Sequence, residues 1–172
     1  ILIPIAMIFT LGFVLKRRKL AWTIYAVMTI GFLSLLIPSV ISEMNGSTNI
    51  HQLGIAQNMG SMEGKEVRFG SAASANWATY TTCTSNGSVN AMHDSMTPIT
   101  GITTLLGRMI NSFYGGVGVG FLNFYIFIIL GVFISGLMVG RTPEFLGKKI
   151  EAKEMKIAMM IALLHPFLIL VG

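Results

Sequence analysis

The feature that most constrains this chain is a run of 23 residues, 20–42, that contains no charged side chain. As an α-helix the run is about 34 Å long, slightly more than the roughly 30 Å hydrocarbon core of a bilayer. Charged residues make up 11% of the whole chain, whereas a soluble domain carries about 25%. The sequence therefore predicts an all-α membrane protein with residues 20–42 as a transmembrane helix.

Apolar runs also lie at both ends of the sequence. Residues 1–15 (ILIPIAMIFTLGFVL) and residues 156–172 each predict part of a transmembrane helix. The first run lacks the basic segment and cleavage site of a signal peptide. We interpret the two runs as partial spans and expect the chain to be a piece of a larger protein.

Nine of the twelve basic residues fall in two clusters beside apolar runs. Residues 16–19 are Lys-Arg-Arg-Lys, and the second cluster lies between Arg141 and Lys156. The positive-inside rule places both clusters in the cytoplasm, residues 16–19 as a turn and residues 141–155 as a longer segment. Because the charges flank apolar spans, they predict contact with membrane lipid and argue against nucleic acid as a partner.

The second cluster contains a predicted helix boundary. Gly140 should end one helix, and a new helix should begin with Thr142 as N-cap, Pro143 at the first helical position and Glu144 in the first turn. The amphipathic stretch at residues 145–156 could lie on the membrane, dock a partner or be a solvated connector.

Two cytoplasmic clusters require an even number of crossings between them. Residues 43–70 are polar, with mixed charges and turn residues, which predicts an extracellular loop. Residues 71–93 lack Leu, Ile and Phe, and twelve of these 23 residues are Ser, Thr, Asn or His. Lipid would not tolerate that surface, so we predict that residues 71–95 form a re-entrant segment shielded by protein.

The return crossing, residues 96–140, would be about 67 Å long as one straight helix, twice what a bilayer needs. Each glycine in a helix interior costs about 1 kcal/mol relative to Ala. We therefore predict a helix that is broken near residues 112–120, where the glycines form an intramembrane gate or serve helix packing. Four glycines gather there: Gly115, Gly116, Gly118 and Gly120.

A different number of transmembrane segments also gives an even number of crossings between the two basic clusters. It has three spans, at residues 71–93, 96–114 and 117–140. The polarity of the first of these segments argues against it.

The best candidate for a functional site is the polar segment Thr84, Ser85, Asn86 and Gly87, after a predicted half-span helix at residues 71–80. A dehydrated cation needs oxygen atoms in place of its hydration shell, and the carbonyls of an extended strand can supply them. Glycine allows a positive φ that turns successive carbonyls toward one axis. The end of the preceding helix adds partial negative charge. The alternative is a polar extracellular turn with an accidental Asn-Gly.

The sequence indicates a functional role less strongly for the other polar residues. Arg108 and Asn111 lie where the chain should enter the membrane and are candidate pathway residues, although Arg108 could also reach the outer head groups. His93 and Asp94 would suit a catalytic dyad at the outer mouth, but no nucleophile or metal motif accompanies them. The single Cys83 excludes a disulfide within this sequence.

Four stretches of the sequence resemble a known family. They are GSMEGKEVRFG at residues 60–70, AMHDSMT at 91–97, FYGGVGVGFLN at 113–123 and VFISGLMVGRTPEFLGKKIEAKEMK at 132–156. Together they resemble the potassium-binding A subunit of the Kdp-type potassium-transporting ATPases, around the third of its four channel-like repeats.

The resemblance implies a repeat made of a helix, a re-entrant pore helix with a filter strand, and a broken second helix. It implies that Thr84, Ser85, Asn86 and Gly87 bind potassium and that the glycine-rich break is an intramembrane loop beneath the filter. Many relatives carry Cys where this chain has Asn86, and relatives carry an acid where it has Asn111.

The resemblance also implies partners and a role. The expected partners are a P-type ATPase subunit, which hydrolyses ATP, and small accessory subunits, in a prokaryotic plasma membrane. The chain itself would be non-catalytic, would take potassium as its ion and would need no organic cofactor. The alternatives are a passive or ion-coupled potassium transporter of the Trk and Ktr kind, and a membrane enzyme that uses His93 and Asp94.

Overall fold

The computed structural model describes residues 2–116, 118–140 and 144–171. In these residues the chain forms seven α-helices, two short 3₁₀ turns and one two-stranded hairpin. The helices are α1 (Leu2–Val14), α2 (Arg18–Asn45), α3 (Thr48–Gln52), α4 (Gly70–Cys83), α5 (Pro98–Ile110), α6 (Val119–Val139) and α7 (Ala152–Val171), and the hairpin strands are β1 (Glu144–Phe145) and β2 (Lys148–Lys149).

Within the part of the chain that the structure describes, three helical segments are long and apolar enough to cross a membrane: Arg18–Gln52, which contains α2 and α3, together with α6 and α7. Their apolar side chains face outward, as Leu137 and Met138 on α6 illustrate with exposed fractions of 63% and 84%. Water would disfavour such a surface, whereas lipid suits it. The fold is that of an all-α membrane protein, as the sequence predicts.

Small polar side chains join α2, α4 and α5 into one unit. Ser39, Thr79 and Thr100 come from these three helices and are fully buried. The Thr79 hydroxyl donates to Ser39 Oγ at 3.3 Å, and the Thr100 hydroxyl donates to the Ser39 carbonyl at 3.2 Å. Small hydroxyl residues let membrane helices approach closely and hydrogen-bond across their interface. This packing fixes the position of α4.

An apolar cluster lies on the other side of α4. Ile8 and Leu11 of α1, Phe32 of α2 and Cys83 of α4 pack together with residues from the break between α5 and α6. The two break residues are Phe113 and Tyr114, whose ring centroid lies 5.7 Å from that of Phe32. The break is therefore held in the core of the chain.

The return crossing consists of two helices with an irregular connection. α5 ends at Ile110, and Asn111 adopts a left-handed conformation with φ 42° and ψ 38°. A 3₁₀ turn at Phe113–Gly115 follows, Gly116 and Gly118 have positive φ values, and α6 begins at Val119. The helical path stops in the region where the sequence predicts an interruption.

The predicted helix start at residues 142–144 is wrong at Glu144, the one of these residues that the structure describes. Arg141, Thr142 and Pro143 lie outside the described residues, but Glu144 belongs to β1 and pairs with Lys149 of β2. Leu146 and Gly147 have φ values of 52° and 77°, and two successive positive φ values are typical of a two-residue hairpin turn. The hairpin delays the start of α7 to Ala152, so residues 145–151 are not helical.

Candidate functional site

The candidate filter segment begins where α4 ends. Thr84 caps the helix, and Ser85 adopts a left-handed conformation with φ 56°. The Asn86 N–H then donates back to the Thr81 carbonyl at 3.2 Å. This arrangement is a Schellman motif, in which a left-handed residue just after the helix lets the next N–H close the last turn. The motif directs the chain sharply away from the axis of α4.

The structure corrects the expected conformation of this segment. Thr84 and Ser85 form a turn, and residues 86–89 belong to no helix and no paired strand. The filter strand, which needs no pairing strand, stays a prediction. Gly87 is not among the glycines with positive φ, whereas Ser85 takes that conformation. A Cβ added to Gly87 would have no neighbour within 4 Å. The helix-ending motif requires the left-handed residue two positions earlier than we predict from the glycine.

Hydrogen bonds fix both sides of the segment to α4. The Thr81 hydroxyl donates to the Asn86 carbonyl at 2.5 Å, and the indole N–H of Trp77 donates to the Ser88 carbonyl at 3.1 Å. A carbonyl oxygen has two lone pairs, so the Asn86 carbonyl keeps one free. The segment is thus attached to its own helix while part of its carbonyl surface stays available.

Ser85 and Asn111 form the closest polar link between the segment and the broken helix. The Ser85 hydroxyl donates to Asn111 Oδ1 at 2.7 Å. Asn111 is only 3% exposed and is the left-handed residue at the end of α5. The structure therefore brings together one predicted filter residue and one predicted pathway residue.

The glycine-rich break lies directly beneath the same segment. A Cβ on Gly116 would lie 2.8 Å from the Thr84 carbonyl oxygen, 3.0 Å from the Gly120 Cα and 3.3 Å from the Ser85 Cβ. Gly116 also has φ 46°. Two requirements therefore select glycine there: a positive φ and a close backbone approach. By contrast, a Cβ on Gly118 would have no neighbour within 4 Å.

Arg108 lies on the opposite side of the segment from the glycines. It lines a cavity of about 560 Å³ together with Asn86, Gly87, His93 and Asp94. Arg108 is eleven residues into α5, about 15 Å along the helix from its outer end. Arg108 is exposed on this chain, and its two interpretations, as a pathway residue and as a contact of the outer head groups, both stay predictions.

His165 contacts the same end of α5, which the sequence did not predict. Its Nε2 lies 3.2 Å from the Arg108 carbonyl oxygen. The last carbonyls of a helix lack intrahelical partners, and here an imidazole from α7 can donate to one of them. The sequence signal for this contact was the position of His165 within an apolar span. The sequence did not show which group His165 contacts.

A buried ion pair, also missed from the sequence, lies at the outer end of α2. Glu43 Oε2 is 2.9 Å from Lys65 Nζ, and both side chains are fully buried. The other carboxylate oxygen accepts hydrogen bonds from the Thr97 N–H at 2.7 Å and the Thr97 hydroxyl at 3.0 Å. We call Glu43, Lys65 and Thr97 the outer clamp. It joins α2, the following loop and the start of α5.

The sequence placed Glu43 in the extracellular loop, but the structure places it in the last turn of α2. The loop offers three acids and two bases at residues 43–70. Spacing alone did not show which of them are buried. Arg68 and Glu66 form a second ion pair that is exposed.

His93 and Asp94 do not form a catalytic dyad. They are neighbours in a 3₁₀ turn, and no hydrogen bond joins their side chains. Burial lowers the pKa of His93 below its ordinary value because the charged imidazolium is disfavoured there.

Among the described residues, no group of three His, Cys, Asp or Glu side chains could hold a metal ion.

Comparison with known proteins gives the same assignment over the full length of the chain. The family model described as the potassium-transporting ATPase A subunit matches residues 1–172. The chain is 66% identical over 172 residues to the potassium-transporting ATPase potassium-binding subunit of Flavobacterium psychrophilum, 59% over 172 residues to that of Phocaeicola vulgatus and 56% over 171 residues to that of Parabacteroides distasonis. Each alignment covers 99–100% of this chain and 30% of the relative.

The chain spans about 30% of the length of the curated relatives that it matches. These relatives are bacterial, and the helices of the chain suit a membrane interior, so it is an integral protein of the bacterial plasma membrane. By its family match and its identity to these relatives, the chain belongs to the family of the potassium-transporting ATPase A subunit.

Proposed function

We propose that the chain is part of a potassium-selective binding and translocation subunit, in which Thr84–Gly87 form one portion of the filter. The observation that carries this proposal is the position of that segment between α4 and the glycine-rich break. The segment follows the end of α4, where the helix dipole places partial negative charge. Its free carbonyls and hydroxyls are the kind of oxygen ligands that replace the hydration shell of potassium.

The path of the ion would continue past the break. Gly116 touches Thr84 from below and Asn111 holds Ser85, so a displacement of the break would alter the segment. We propose that Gly115, Gly116, Gly118 and Gly120 form an intramembrane gate on this basis. Arg108 and Asn111 would border the pathway on either side, and Asn111 would position Ser85 through its amide oxygen.

The free energy for uptake would come from a partner. The relatives are named as subunits of a potassium-transporting ATPase, and we propose that this chain works in the same way with a P-type ATPase subunit and small accessory subunits. In that arrangement the chain admits dehydrated potassium as its substrate, while the partner hydrolyses ATP. It would need no organic cofactor.

Ion uptake by the complete complex tests the filter. Gly87→Asp adds a charged side chain on the open side of the segment, where further ion-coordinating oxygens would lie. We expect at least a tenfold loss of apparent potassium affinity, equivalent to about 1.4 kcal/mol, together with a changed potassium-to-rubidium ratio. Asn86→Cys keeps the backbone carbonyl and should be mild. Normal uptake by Gly87→Asp together with failure of Asn86→Cys would contradict a backbone filter.

The Trk and Ktr alternative shares the repeat but not the ATPase. It is distinguished by removing ATP while the membrane potential is clamped. Uptake that stops under these conditions supports the ATP-driven complex, and uptake that continues supports the alternative. Family membership favours the first outcome.

A further inference from the structure

Four consecutive basic residues, 16–19, lie where α1 meets α2: Lys16 and Arg17 connect the helices, Arg18 and Lys19 begin α2, and all four are exposed. Among the residues that the structure describes, the ion pairs are Lys65–Glu43 and Arg68–Glu66, so none of the four has a carboxylate partner. The next acid along the chain is Glu43. Four positive charges therefore lie within one turn without an anion from this part of the molecule.

The backbone gives this turn a fixed shape. The N–H of Lys16 donates to the Phe13 carbonyl at 3.0 Å, and the N–H of Arg17 donates to the Gly12 carbonyl at 2.9 Å. A Cβ added to Gly12 would overlap the Cβ of Ala21. α1 and α2 thus touch at the base of the turn, and the four cations are presented from a rigid support.

The basic side chains surround a cavity of about 850 Å³. Small-molecule sites usually enclose about 300–1,000 Å³. Phe13 and Leu20, which line the same cavity, are 70% and 40% exposed. The cavity therefore combines a cationic rim with apolar walls that continue onto the two helices.

We propose that this cavity binds the phosphate head group of an anionic membrane phospholipid, with the acyl chains following α1 and α2. α1 and α2 are apolar and meet at this turn, so the cavity lies at the membrane surface, where lipid phosphates are located. Basic pockets between membrane helices hold anionic head groups in this way. Arg17 and Arg18 add planar guanidinium groups that can bind phosphate oxygens in pairs.

An acidic surface of a partner protein is less suited to this cavity. It would satisfy the positive charges but would leave the exposed Phe13 and Leu20 to be covered separately. A phospholipid supplies the anion and the apolar chains in one molecule. The cavity chemistry therefore favours lipid.

The test measures lipid binding to the complete complex in detergent. Arg17→Gln and Arg18→Gln are combined in one variant, and phosphatidylglycerol binding is followed by titration and by native mass spectrometry. We expect at least about tenfold weaker binding of this lipid and loss of copurified anionic phospholipid. The matched control combines Lys148→Gln and Lys149→Gln, which removes the same charge from exposed positions on the hairpin and should weaken binding far less than the arginine variant does.

Three outcomes would overturn the proposal. They are unchanged lipid binding, equal loss in both variants, and loss of a protein subunit with lipid binding retained. If the double variant does not assemble, Arg18→Gln alone is measured, with about threefold weaker binding expected and unchanged binding contradicting the site. Lipid binding is read without ion transport, so this result is independent of the proposed potassium function.

Discussion

The outer clamp and the segment Thr84–Gly87 both gather polar groups beside helix ends, but only the clamp is complete. Both carboxylate oxygens of Glu43 have partners, and the side chains of Glu43 and Lys65 have no exposed surface. In the segment, Ser85 and Asn86 have partners on this chain, whereas Gly87 faces open space.

This difference is the one we expect between a structural unit and the proposed portion of an ion-binding site. A buried charge without a partner would be strongly destabilising. The charges of Glu43 and Lys65 must therefore be paired within the chain as it folds. An ion site needs oxygens that are not already engaged. In the proposed ion pathway, the remaining ligands would approach from the open side of Gly87. The clamp should therefore respond to mutation through stability, and the segment through ion binding.

The largest effect is expected from Lys65→Met. The change leaves the Glu43 carboxylate buried without its ammonium partner, a situation that typically costs 3–5 kcal/mol. Thermal unfolding of the complete complex should show a large loss of stability or a failure to assemble. Arg68→Met is the control, because it breaks an exposed ion pair in the same loop and such pairs contribute little. Similar losses in both variants would remove the distinction between the two pairs.

Gly116→Ala should act on the segment through the backbone. A non-glycine residue with positive φ costs about 1–3 kcal/mol, and the added methyl group would also press on the Thr84 carbonyl oxygen. We expect at least about a tenfold loss of apparent potassium affinity. Gly118 also has a positive φ, but a Cβ added there would have no neighbour within 4 Å. The difference between Gly116→Ala and Gly118→Ala therefore measures the effect of the contact with Thr84. An equal effect of both changes would attribute the loss to φ alone.

Two substitutions at Ser85 should differ clearly in how much stability and potassium uptake they cost. Ser85→Val places a β-branched residue in the left-handed conformation, where it is strongly disfavoured. Ser85→Gly relieves the strain but loses the hydrogen bond to Asn111, which is worth about 0.5–1.5 kcal/mol, so its net effect on stability should be small. Potassium uptake and thermal unfolding should both show Val as the more damaging change. A reversed order would mean that the Schellman geometry is not maintained in the complex.

The smallest effect concerns His93. Its folded-state pKa is lowered by burial, so the unfolded chain binds the proton more readily. The contribution to stability is complete above the unfolded pKa of about 6.5 and is lost as the pH falls toward the folded value. His93→Gln should flatten the dependence of the unfolding temperature on pH between about 7 and 5. An unchanged slope would show that His93 is not the group responsible.

The membrane architecture could be predicted because it follows from summed properties of long segments. Residues 20–42 lack charge over a bilayer thickness, and residues 96–140 are too long for one span. The position of the break followed from four glycines, of which Gly116 has a specific conformational requirement. These signals depend on local composition and length, which the sequence contains directly.

Details that depend on contacts between distant residues could not be predicted. Glu43 and Lys65 are 22 positions apart in sequence, and the sequence does not show which acid and which base of residues 43–70 form the buried pair. The left-handed position was assigned to Gly87 because glycine prefers it, yet the end of α4 imposed it on Ser85. Likewise, the helix signals at Thr142 and Pro143 did not anticipate the turn at residues 146–147 that forms the hairpin.

Cys83 has a practical consequence through its place in the core. It is the one cysteine of this sequence, it has no exposed surface, and it packs against Gly107. Thiol-reactive probes should therefore give little background on this part of the protein without removal of the native residue. Cysteines introduced at exposed Val67 and Lys149 can be compared directly with impermeant reagents to determine on which side of the membrane each lies. Ser61 is unsuitable for this purpose because it is 2% exposed.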